Sequence, residues 1–372
     1  MKAARAENSR FSFDAVLLFP ALLLTGIGVV MVYSASSHIA AERFGDSAYF
    51  LKKQAAYALA GVFMMVFCRY LSYRLLRIMA YGILGTSFLL LGMILVSSLG
   101  YEVNGASRWL RLGGFSFQPS VFAKFALIVY LAYSLNKKKE DMDRFSVGFL
   151  PHVVVFGVFS SLILMQPDFG SVVIFGVITW LMLFVAGVRL THLLTSFVFF
   201  IPAGAYYMMS AEYRMKRLTS FLDPWKFKDS SGYQIVHSYM AFGTGGFWGT
   251  GLGQGYQKLF YLPEPHTDFI FSVIGEELGL LGIMFIMFLF MVLMWRGLMV
   301  ALQSKDRFGA LLALGLTAAI GFQVFVNTGV TLGLFPTKGI TLPFLSYGGT
   351  SLLFNLAAIG VLMNIGQKNH EA

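Results

Sequence analysis

The sequence is short of charge and of cysteine. Of its 372 residues only 12% are charged, whereas 57% are hydrophobic, and the mean hydropathy is +0.71. These values exclude a soluble globular protein. The single cysteine, Cys68, cannot form an intramolecular disulfide, which excludes cysteine redox chemistry and cysteine metal sites.

The sequence also lacks the spaced motifs of zinc and nucleotide sites. Its 6 histidines are scattered, without the paired spacing of zinc ligands. Seven glycines lie between 243 and 255, but they match neither a P-loop nor a G-x-G-x-x-G that follows a strand. We interpret residues 243–255, named the glycine stretch, as a flexible or re-entrant loop. The alternative is that its backbone amides approach a diphosphate.

The chain contains instead ten long apolar runs. A transmembrane helix needs about 20 mostly apolar residues, so the runs predict an all-α integral membrane protein with about ten transmembrane helices. The first run has no cleavage site behind it and is interpreted as a retained helix. In chain order the runs lie at roughly 14–34, 52–68, 76–98, 119–135, 148–165, 170–187, 190–209, 269–295, 308–333 and 343–365.

One polytopic membrane domain is therefore predicted over residues 1–372, with a tail at 1–13 and a large loop at 210–268 between helices 7 and 8. With the N-terminus inside, the inward segments carry 15 basic residues and the short outward segments carry 6. Inward loops are normally the more basic ones, and long loops do not count. Both termini are therefore expected in the cytoplasm, and the 210–268 loop outside it.

The same orientation explains the net charge of +10, because basic residues in a membrane protein report orientation or contact anionic lipid headgroups. No nucleic-acid partner is expected. The polar signatures lie in the outward segments, whereas the inward loops are short and merely basic. ATP is absent outside the cell, so nucleotide-driven mechanisms are disfavoured.

The outer stretch FYLPEPHTDF carries three polar candidates, Glu264, His266 and Asp268. Its prolines predict that the next helix starts near Thr267, with Asp268 in the first turn. One interpretation is that Asp268 is a helix N-cap. The other is that Asp268 faces the mouth of the helix bundle as a functional carboxylate, with Glu264 and His266 as its companions.

Two more carboxylates, Glu276 and Glu277, lie about two turns deeper in the same run. Ionisable groups at that depth are costly and must face a partner or a cavity. On the same helix Gly275, Gly279 and Gly282 would allow a neighbouring segment to approach closely.

Basic candidates occur in the segment NGASRWLRLGGFSFQPSVFAK. Arg108, Trp109 and Arg111 either anchor the segment at the membrane interface or bind a ligand. Gln118 precedes a proline that starts a helix, which puts Lys124 more than one turn inside that helix. The Lys124 ammonium then either snorkels outward or pairs within the bundle.

Other outer segments carry isolated charges. Asp168 in LMQPDFGS is expected to cap the next helix. Lys338 in GLFPTKGITLP opposes the orientation rule, which makes it a candidate for an anionic ligand. In the 210–268 loop, Arg214, Lys216 and Arg217 could meet anionic headgroups or an anionic substrate.

Together these segments resemble the SEDS family (shape, elongation, division and sporulation) of bacterial cell-wall proteins, and its division branch more than its elongation branch. The resemblance implies a peptidoglycan glycosyltransferase of the bacterial cytoplasmic membrane that polymerises lipid II. The implied partners are a class B penicillin-binding protein as transpeptidase, other membrane proteins of the division machinery, and membrane lipids. In family order the matching segments are NGASRWLRLGGFSFQPS, QPDFG, RLTSFLDPW, SGYQIVHSYMAFGTGGFWGTGLGQGYQKLFYLPEPHTDFIFSVIGEELGLLG and GLFPTKGITLPFLSYGGTSLL.

The resemblance also implies roles for particular residues. The essential aspartate of the family falls on Asp268, and its lysine after Gln-Pro-Ser falls on Lys124. We expect Asp268 to act as general base on the acceptor sugar hydroxyl, which typically gives about 10²- to 10⁴-fold. We expect Lys124, Arg108 and Lys338 to stabilise charge on the diphosphate leaving group.

Gln118, His266 and Glu264 are further candidates for substrate binding. Where the family usually has an acidic residue after Gln-Pro-Ser, this chain has Val121, so any role of that carboxylate is lost or filled from elsewhere. A divalent cation, Mg²⁺ or Mn²⁺, could share the stabilisation of the diphosphate, although no ligand cluster in the sequence identifies a metal site.

The sequence leaves three other functions open. A lipid II flippase could use Lys124, Glu276 and Glu277 to line a path, but the polar residues crowd at the outer mouth instead of spreading through the membrane depth. A non-catalytic scaffold predicts that the outer charges tolerate neutral substitution. The third is the closely related elongation-type polymerase.

Overall fold

The computed structural model describes residues 14–96, 100–103, 106–112, 115–260 and 262–371. The predicted tail at 1–13 lies outside these ranges. The helices are α1 (Ala15–Phe44), α2 (Tyr49–Tyr70), α3 (Arg74–Ile78), α4 (Ala80–Val96), α5 (Pro119–Lys137), α6 (Leu150–Leu164), α7 (Phe169–Val185), α8 (Leu190–Met209), α9 (Glu212–Leu222), α10 (Tyr233–Gly245), α11 (Gln257–Phe260), α12 (Ile270–Gln303), α13 (Arg307–Thr331) and α14 (Gly349–Glu371), with a 3₁₀ turn at Lys139–Asp141 and a π turn at Phe145–Phe149 before α6.

The described helices include 8 that are long and apolar enough to cross a membrane. Two shorter apolar helices, α4 and α7, bring the apolar helices to ten and confirm the prediction of about ten. The boundaries differ most from the sequence estimate at three places, of which one is the end of α12, at Gln303 and not near 295. The first helix continues to Phe44, where Gly45 ends it with a φ of 69°, and the last helix begins only at Gly349.

The centre of the bundle is formed by α14, α5 and α13. In the apolar stretches of these three helices that are long enough to span a membrane, 89%, 78% and 67% of the residues are buried within the protein. In the corresponding stretch of α8 only 11% are buried. The most buried helices carry small and polar residues among their apolar ones, such as Ser134 and Asn355, because they face protein on all sides. The helix α8 lies at the periphery of the bundle.

The expectation of an all-α fold was incomplete. A three-stranded antiparallel sheet precedes α5, in the order β1 (Gly100–Val103), β2 (Ala106–Leu112) and β3 (Phe115–Phe117). The sequence carries Asn-Gly and Gly-Gly between the strand segments, dipeptides that are typical of hairpins. The strands position Arg108 and lead into the proline that starts α5.

The helix α12 is broken at Gly279, whose φ of 65° and ψ of −166° are not helical. The glycine stretch and the residues around it fill this break. The backbone N–H of Thr250 donates to the carbonyl of Glu276 at 2.9 Å, and that of Leu280 donates to the carbonyl of Gly246 at 3.0 Å. Irregular backbone inside an apolar segment is stable only when its polar groups find such partners. Of the two alternatives, a flexible or a re-entrant loop, the flexible one was wrong, because backbone bonds hold this stretch against α12.

Glu276 and Glu277 lie at the same break, and both have protein partners. The backbone N–H of Tyr256 donates to Oε1 of Glu276 at 2.8 Å. Glu277 forms an ion pair of 2.5 Å with Lys258, and both side chains are almost fully buried. The hydroxyl of Ser34 donates to the same carboxylate at 2.7 Å. The expectation that these carboxylates face a partner or a cavity is confirmed, and what they face is a partner.

Candidate active site

The acidic loop, residues 262–269, does not continue the helix that follows it. The helix α12 starts at Ile270 with Phe269 as its N-cap residue, so Asp268 precedes the helix and is not its cap. The expected first-turn position was therefore wrong. Prolines interrupt the loop, and its backbone forms turns, one of which is closed by the Thr267 N–H on the Glu264 carbonyl at 3.1 Å. Bonds from distant elements hold these turns in place.

Three successive carbonyls of the acidic loop accept hydrogen bonds from elsewhere in the chain. Two of the donors lie in the lysine loop, residues 332–348, and the third lies on α13. The donors are the backbone N–H of Tyr347 to His266 at 2.8 Å, the hydroxyl of Ser346 to Thr267 at 2.6 Å, and the side-chain amide of Asn327 to Asp268 at 3.0 Å.

Asn327 also donates to the carbonyl of Ile340 at 2.7 Å, which brings the lysine loop against Asp268. A methyl group on Gly339 would lie 3.4 Å from Oδ2 of Asp268 and 4.0 Å from a guanidinium nitrogen of Arg108. The carboxyl and the guanidinium therefore flank the same glycine. An acid and a cation therefore lie near each other, as the sequence predicted for the mouth of the bundle.

A cavity of about 320 Å³ opens beside this pair. Its wall is formed by four cationic side chains, one carboxylate, and aromatic and loop residues from distant parts of the chain. Gly339, beneath which Asp268 lies, is part of the wall. The lining residues are Arg108, Pro167, Asp168, Phe169, Gly170, Tyr207, Met208, Tyr213, Arg214, Arg217, Pro336, Thr337, Lys338 and Gly339.

The surroundings of Asp268 change its proton affinity. Burial raises the pKa of the Asp268 carboxyl to about 7, and the carboxylate of Glu264 adds to the rise. Arg108 and Arg217 act in the opposite direction, but their effect is smaller. A carboxyl with a pKa near neutrality can take a proton and release it at physiological pH.

Arg108 is fixed by the backbone of the turn before α7. Its Nε donates to the carbonyl of Gln166 at 3.0 Å and an Nη donates to that of Pro167 at 2.5 Å. Two bonds to adjacent carbonyls orient the planar guanidinium, and its remaining N–H groups are left for the cavity. Trp109 is half-buried, and the side chain of Arg111 lies outside the described part of the chain.

Asp168 and Lys338 face each other across the cavity wall. Asp168 accepts from the backbone N–H of Ser171 at 3.2 Å, which confirms the predicted cap of α7. Burial lowers the pKa of Lys338, and Asp168 opposes this shift. The ammonium of Lys338 also lies 5.1 Å from the centre of the Phe169 ring. A desolvated ammonium of this kind attracts an anion more strongly than an exposed one.

Lys124 lies apart from this cavity. Its Nζ donates to Oε1 of Gln323 on α13 at 2.7 Å, so pairing within the bundle was the right one of the two interpretations. It lines a small crevice of about 20 Å³ with Val121 and Phe354, among others. Among the described residues, the wall of the larger cavity does not include Lys124.

His266 and Glu264 lie behind Asp268. His266 is buried with its ring 4.5 Å from that of Phe50, and its Nε2 is 3.6 Å from the Glu264 carboxylate. Burial lowers the pKa of His266 to about 4, so its imidazole is neutral at physiological pH. Gln118 is further away in the fold, at the N-terminus of α5, where its backbone N–H donates to Thr350.

Sequence reasoning missed the residues that position the site. Asn327 and Ser346 were not candidates, and neither were Tyr207 and Tyr213 in the cavity wall. A signal was present for Asn327, because an amide side chain inside an apolar run is costly unless it has a specific partner. No comparable signal marks a tyrosine at the end of an apolar helix, where it usually anchors the interface.

The donor set does not fit a metal held by the protein alone. Within the described ranges, no three side chains of His, Cys, Asp or Glu lie together as a metal site. Mg²⁺ is usually bound by one or two carboxylates together with substrate phosphates. In this site Mg²⁺ or Mn²⁺ would therefore need the substrate to complete its coordination.

The sequence matches the family of cell cycle proteins FtsW, RodA and SpoVE over residues 14–371. It is 48% identical over 353 residues to a probable peptidoglycan glycosyltransferase FtsW of Trichlorobacter lovleyi, covering 95% of this chain and 93% of the relative. It is 43% identical over 361 residues to the stage V sporulation protein E of Bacillus subtilis, covering 97% of this chain and 98% of the relative.

The fold is similar to two solved structures. A chain from a peptidoglycan synthase complex that coordinates polymerization and crosslinking superimposes with a TM-score of 0.80, at 30% identity over 97% of this chain and 100% of that one. The rod shape determining protein RodA of Thermus thermophilus superimposes with a TM-score of 0.70, at 27% identity over 97% of this chain and 99% of that one. The chain therefore belongs to the family of FtsW, RodA and SpoVE, the SEDS family of membrane proteins.

Proposed function

We propose that the chain polymerises lipid II into glycan strands at the outer face of the bacterial cytoplasmic membrane during septal wall synthesis, with Asp268 as general base. Its relatives at 46–48% identity carry the name FtsW and the activity of a peptidoglycan glycosyltransferase, and this chain is such an enzyme. The observation that carries the assignment of the base is the Asp268 carboxyl, with a pKa raised to about 7, beside a cationic cavity.

The reaction needs a base for the acceptor and a site for the leaving group. Asp268 takes the proton of the acceptor sugar 4-hydroxyl as that oxygen attacks the anomeric carbon of the donor. The bond from the anomeric carbon to the diphosphate breaks, and the polyprenyl diphosphate leaves with the bonding electrons. A base whose pKa lies near the working pH is the most effective one for such a step.

The cationic side chains of the cavity wall act on the diphosphate. Arg108 is oriented by two carbonyls, and Lys338, Arg214 and Arg217 line the same space. Fixed cations aimed at developing negative charge stabilise a transition state without reorganising. Arg108 and Arg217 also lower the pKa of Asp268, which keeps part of the base ionised at neutral pH.

The other sequence candidates take supporting places in this proposal. Glu264 and His266 support the base from neighbouring positions of the acidic loop, and Gln118 lies at the start of α5. Lys124 either contacts the substrate from its own crevice or supports the site through Gln323. Lys124 bonds to Gln323 and is not among the residues that line the cavity, which favours the supporting role.

The chain is a multi-pass membrane protein. We place it in the cytoplasmic membrane with both termini inside, because its basic residues are biased 15 to 6 toward the inward segments. The outer segments that carry Arg108, Asp168, Asp268 and Lys338 meet at one end of the bundle, as this orientation requires. A class B penicillin-binding protein and other division proteins are the proposed partners, supported by the similarity to a chain of a peptidoglycan synthase complex.

The test is glycan-chain synthesis from lipid II by purified Asp268→Asn protein. The variant keeps the size of the side chain and loses the base, so we expect synthesis to fall by about 100-fold or more. The matched control is Asp46→Asn, the same change at an exposed carboxylate paired with Lys52. Chain synthesis by a folded Asp268→Asn protein at the rate of the control would remove Asp268 from the catalytic role.

A flippase is not favoured by the described residues. Glu276 and Glu277 are bound by backbone amides and by Lys258, and Lys124 is bound by Gln323, so none of them lines an open path. Labelled lipid II in proteoliposomes separates the two functions: movement between leaflets without chain growth would indicate transport. A scaffold would keep its partner active when the charges of the cavity wall are neutralised.

A further inference from the structure

We propose that Asn327 is a positioning residue that sets the distance between the Asp268 carboxyl and the cationic wall, and this assignment depends on the proposed role of Asp268. Asn327 lies near the end of α13 and is 2% exposed. It lines neither the larger cavity nor the crevice of Lys124. It acts on the reaction only through the two loops that it joins.

The side-chain amide of Asn327 uses both of its protons. One is donated to the carbonyl of Asp268 at 3.0 Å and the other to the carbonyl of Ile340 at 2.7 Å. An NH₂ group has two donors and no more, so its donor capacity is fully used by these two loops. No other natural side chain of this size offers two N–H donors, which makes the position specific for asparagine.

Stability of α13 does not require an amide here. The neighbouring Thr328 and Thr331 satisfy their hydroxyls on carbonyls of their own helix. Asn327 instead sends its donors out of the helix, and its Oδ1 is buried without a hydrogen-bond partner among the described residues. A buried acceptor without a partner carries a cost, so the amide is placed for the two loop contacts and not for its helix.

The two bonds fix the geometry around Gly339. Ile340 follows Gly339 directly, and a Cβ on Gly339 would be close to both Oδ2 of Asp268 and the guanidinium of Arg108. Because one amide binds the carbonyls of residues 268 and 340, it sets the distance between the Asp268 carboxyl and the cationic side chains. A misplacement of about 1 Å in an active site can cost roughly 10²-fold in rate.

The loops retain other ties when Asn327 is changed. Ser346 still bonds to Thr267, and the backbone of Tyr347 still bonds to His266. Variants at Asn327 are therefore expected to fold, with the acidic loop held at two carbonyls and released at the third, that of Asp268.

The experiment compares Asn327→Ala and Asn327→Asp with the control Thr328→Val. Thr328 is likewise buried, at the next position of α13, and contacts neither loop by its hydroxyl. With lipid II as substrate, we expect kcat of both Asn327 variants to fall by about 10- to 100-fold while KM changes by less than about threefold. The thermal unfolding midpoint of Asn327→Ala should remain close to that of the control.

Asn327→Asp is the stricter variant, because its carboxylate would oppose two carbonyl oxygens instead of donating to them. A kcat of Asn327→Ala within twofold of the control, or a loss of kcat that only follows a loss of folded protein, would overturn the assignment. In the Asp268→Asn background, Asn327→Ala should lower the residual rate no further, since residues that act as a unit are not additive. A full further loss there would mean that Asn327 acts independently of Asp268.

The two proposals fail in different ways. If Asp268→Asn keeps its activity, the base assignment is wrong and the role of Asn327 falls with it. If Asp268→Asn is inactive and Asn327→Ala matches the control, only the positioning role is wrong.

Discussion

The surroundings of the Asp268 carboxyl determine its pKa. In water an aspartate is fully ionised at neutral pH, whereas burial and the nearby Glu264 carboxylate raise the pKa of Asp268 to about 7. A base must be ionised to take a proton, so we expect activity to rise with pH, to be half-maximal near pH 7 and to level off at higher pH. A pH profile of kcat for glycan-chain synthesis between about pH 5.5 and 8.5 measures this limb.

Substitutions of two neighbours of Asp268 should shift the rising part of the pH profile, called the limb, in opposite directions. Glu264→Gln removes a like charge, so the pKa of Asp268 should fall and the limb should move to lower pH. Arg217→Gln removes a positive charge, so the limb should move to higher pH. A pair of profiles that shift the same way, or do not shift, would contradict the assignment of the limb to Asp268.

Gly339 gives a prediction that depends on space alone. A methyl group there meets Oδ2 of Asp268 at ordinary contact distance, so the Gly339→Ala protein should fold. The added methyl group would nevertheless stand between the base and the acceptor. We expect kcat to fall by about tenfold or more. The control is Gly82→Ala, where an added methyl meets nothing within 4 Å. Equal rates for the two variants would show that the acceptor does not approach past Gly339.

At the scale of elements, one buried ion pair lies at the break in α12, next to the backbone bonds that hold the break. Removing Lys258 leaves the Glu277 carboxylate uncompensated next to the glycine stretch. We expect Lys258→Met to destabilise the protein by about 3–5 kcal/mol, as for other buried pairs that lose one partner. Lys52→Met, at an exposed pair with Asp46, should have little effect. Thermal unfolding in detergent compares the two.

The ten apolar helices were predictable because each needs only a run of apolar residues. The start of α12 was not, because local signals placed Asp268 in its first turn, whereas bonds from Asn327 and Ser346 hold the acidic loop in another path. The fixed conformation of the glycine stretch could not be predicted from the sequence for the same reason. Its partners are backbone groups around Gly279, and backbone partners leave no mark in a sequence.

At the scale of the molecule, the site is assembled from five separated segments. Residues near 108, 167–170, 207–217 and 336–339 line one cavity. The fifth segment contributes Asp268, whose carboxyl lies next to Gly339 of the cavity wall. The sequence identified Asp268, Arg108 and Lys338 as members of one face, because all stand in segments predicted to face outward. It could not say which cations reach the acid, and it grouped Lys124 with them, although Lys124 lies beside Gln323.

The single cysteine makes the predicted orientation testable. In a Cys68→Ser background, Ser210→Cys after α8 and Lys305→Cys between α12 and α13 place one exposed thiol at each end of the bundle. A membrane-impermeant maleimide should label the first from the outside of sealed right-side-out vesicles, and the second only after permeabilisation. The reverse pattern would invert the proposed topology.

The bonds that close the acidic loop also set when the site can exist during synthesis. The carbonyl of Asp268 accepts its hydrogen bond from an amide 59 residues further along the chain, and the carbonyl of Thr267 accepts from a hydroxyl 79 residues further along. A nascent chain that has inserted α12 therefore holds the base but not its support. The proposed catalytic centre gains these bonds only when α13 and the lysine loop after it have been synthesised. A chain truncated before Ser346 therefore lacks this support even though most of its helices are in place.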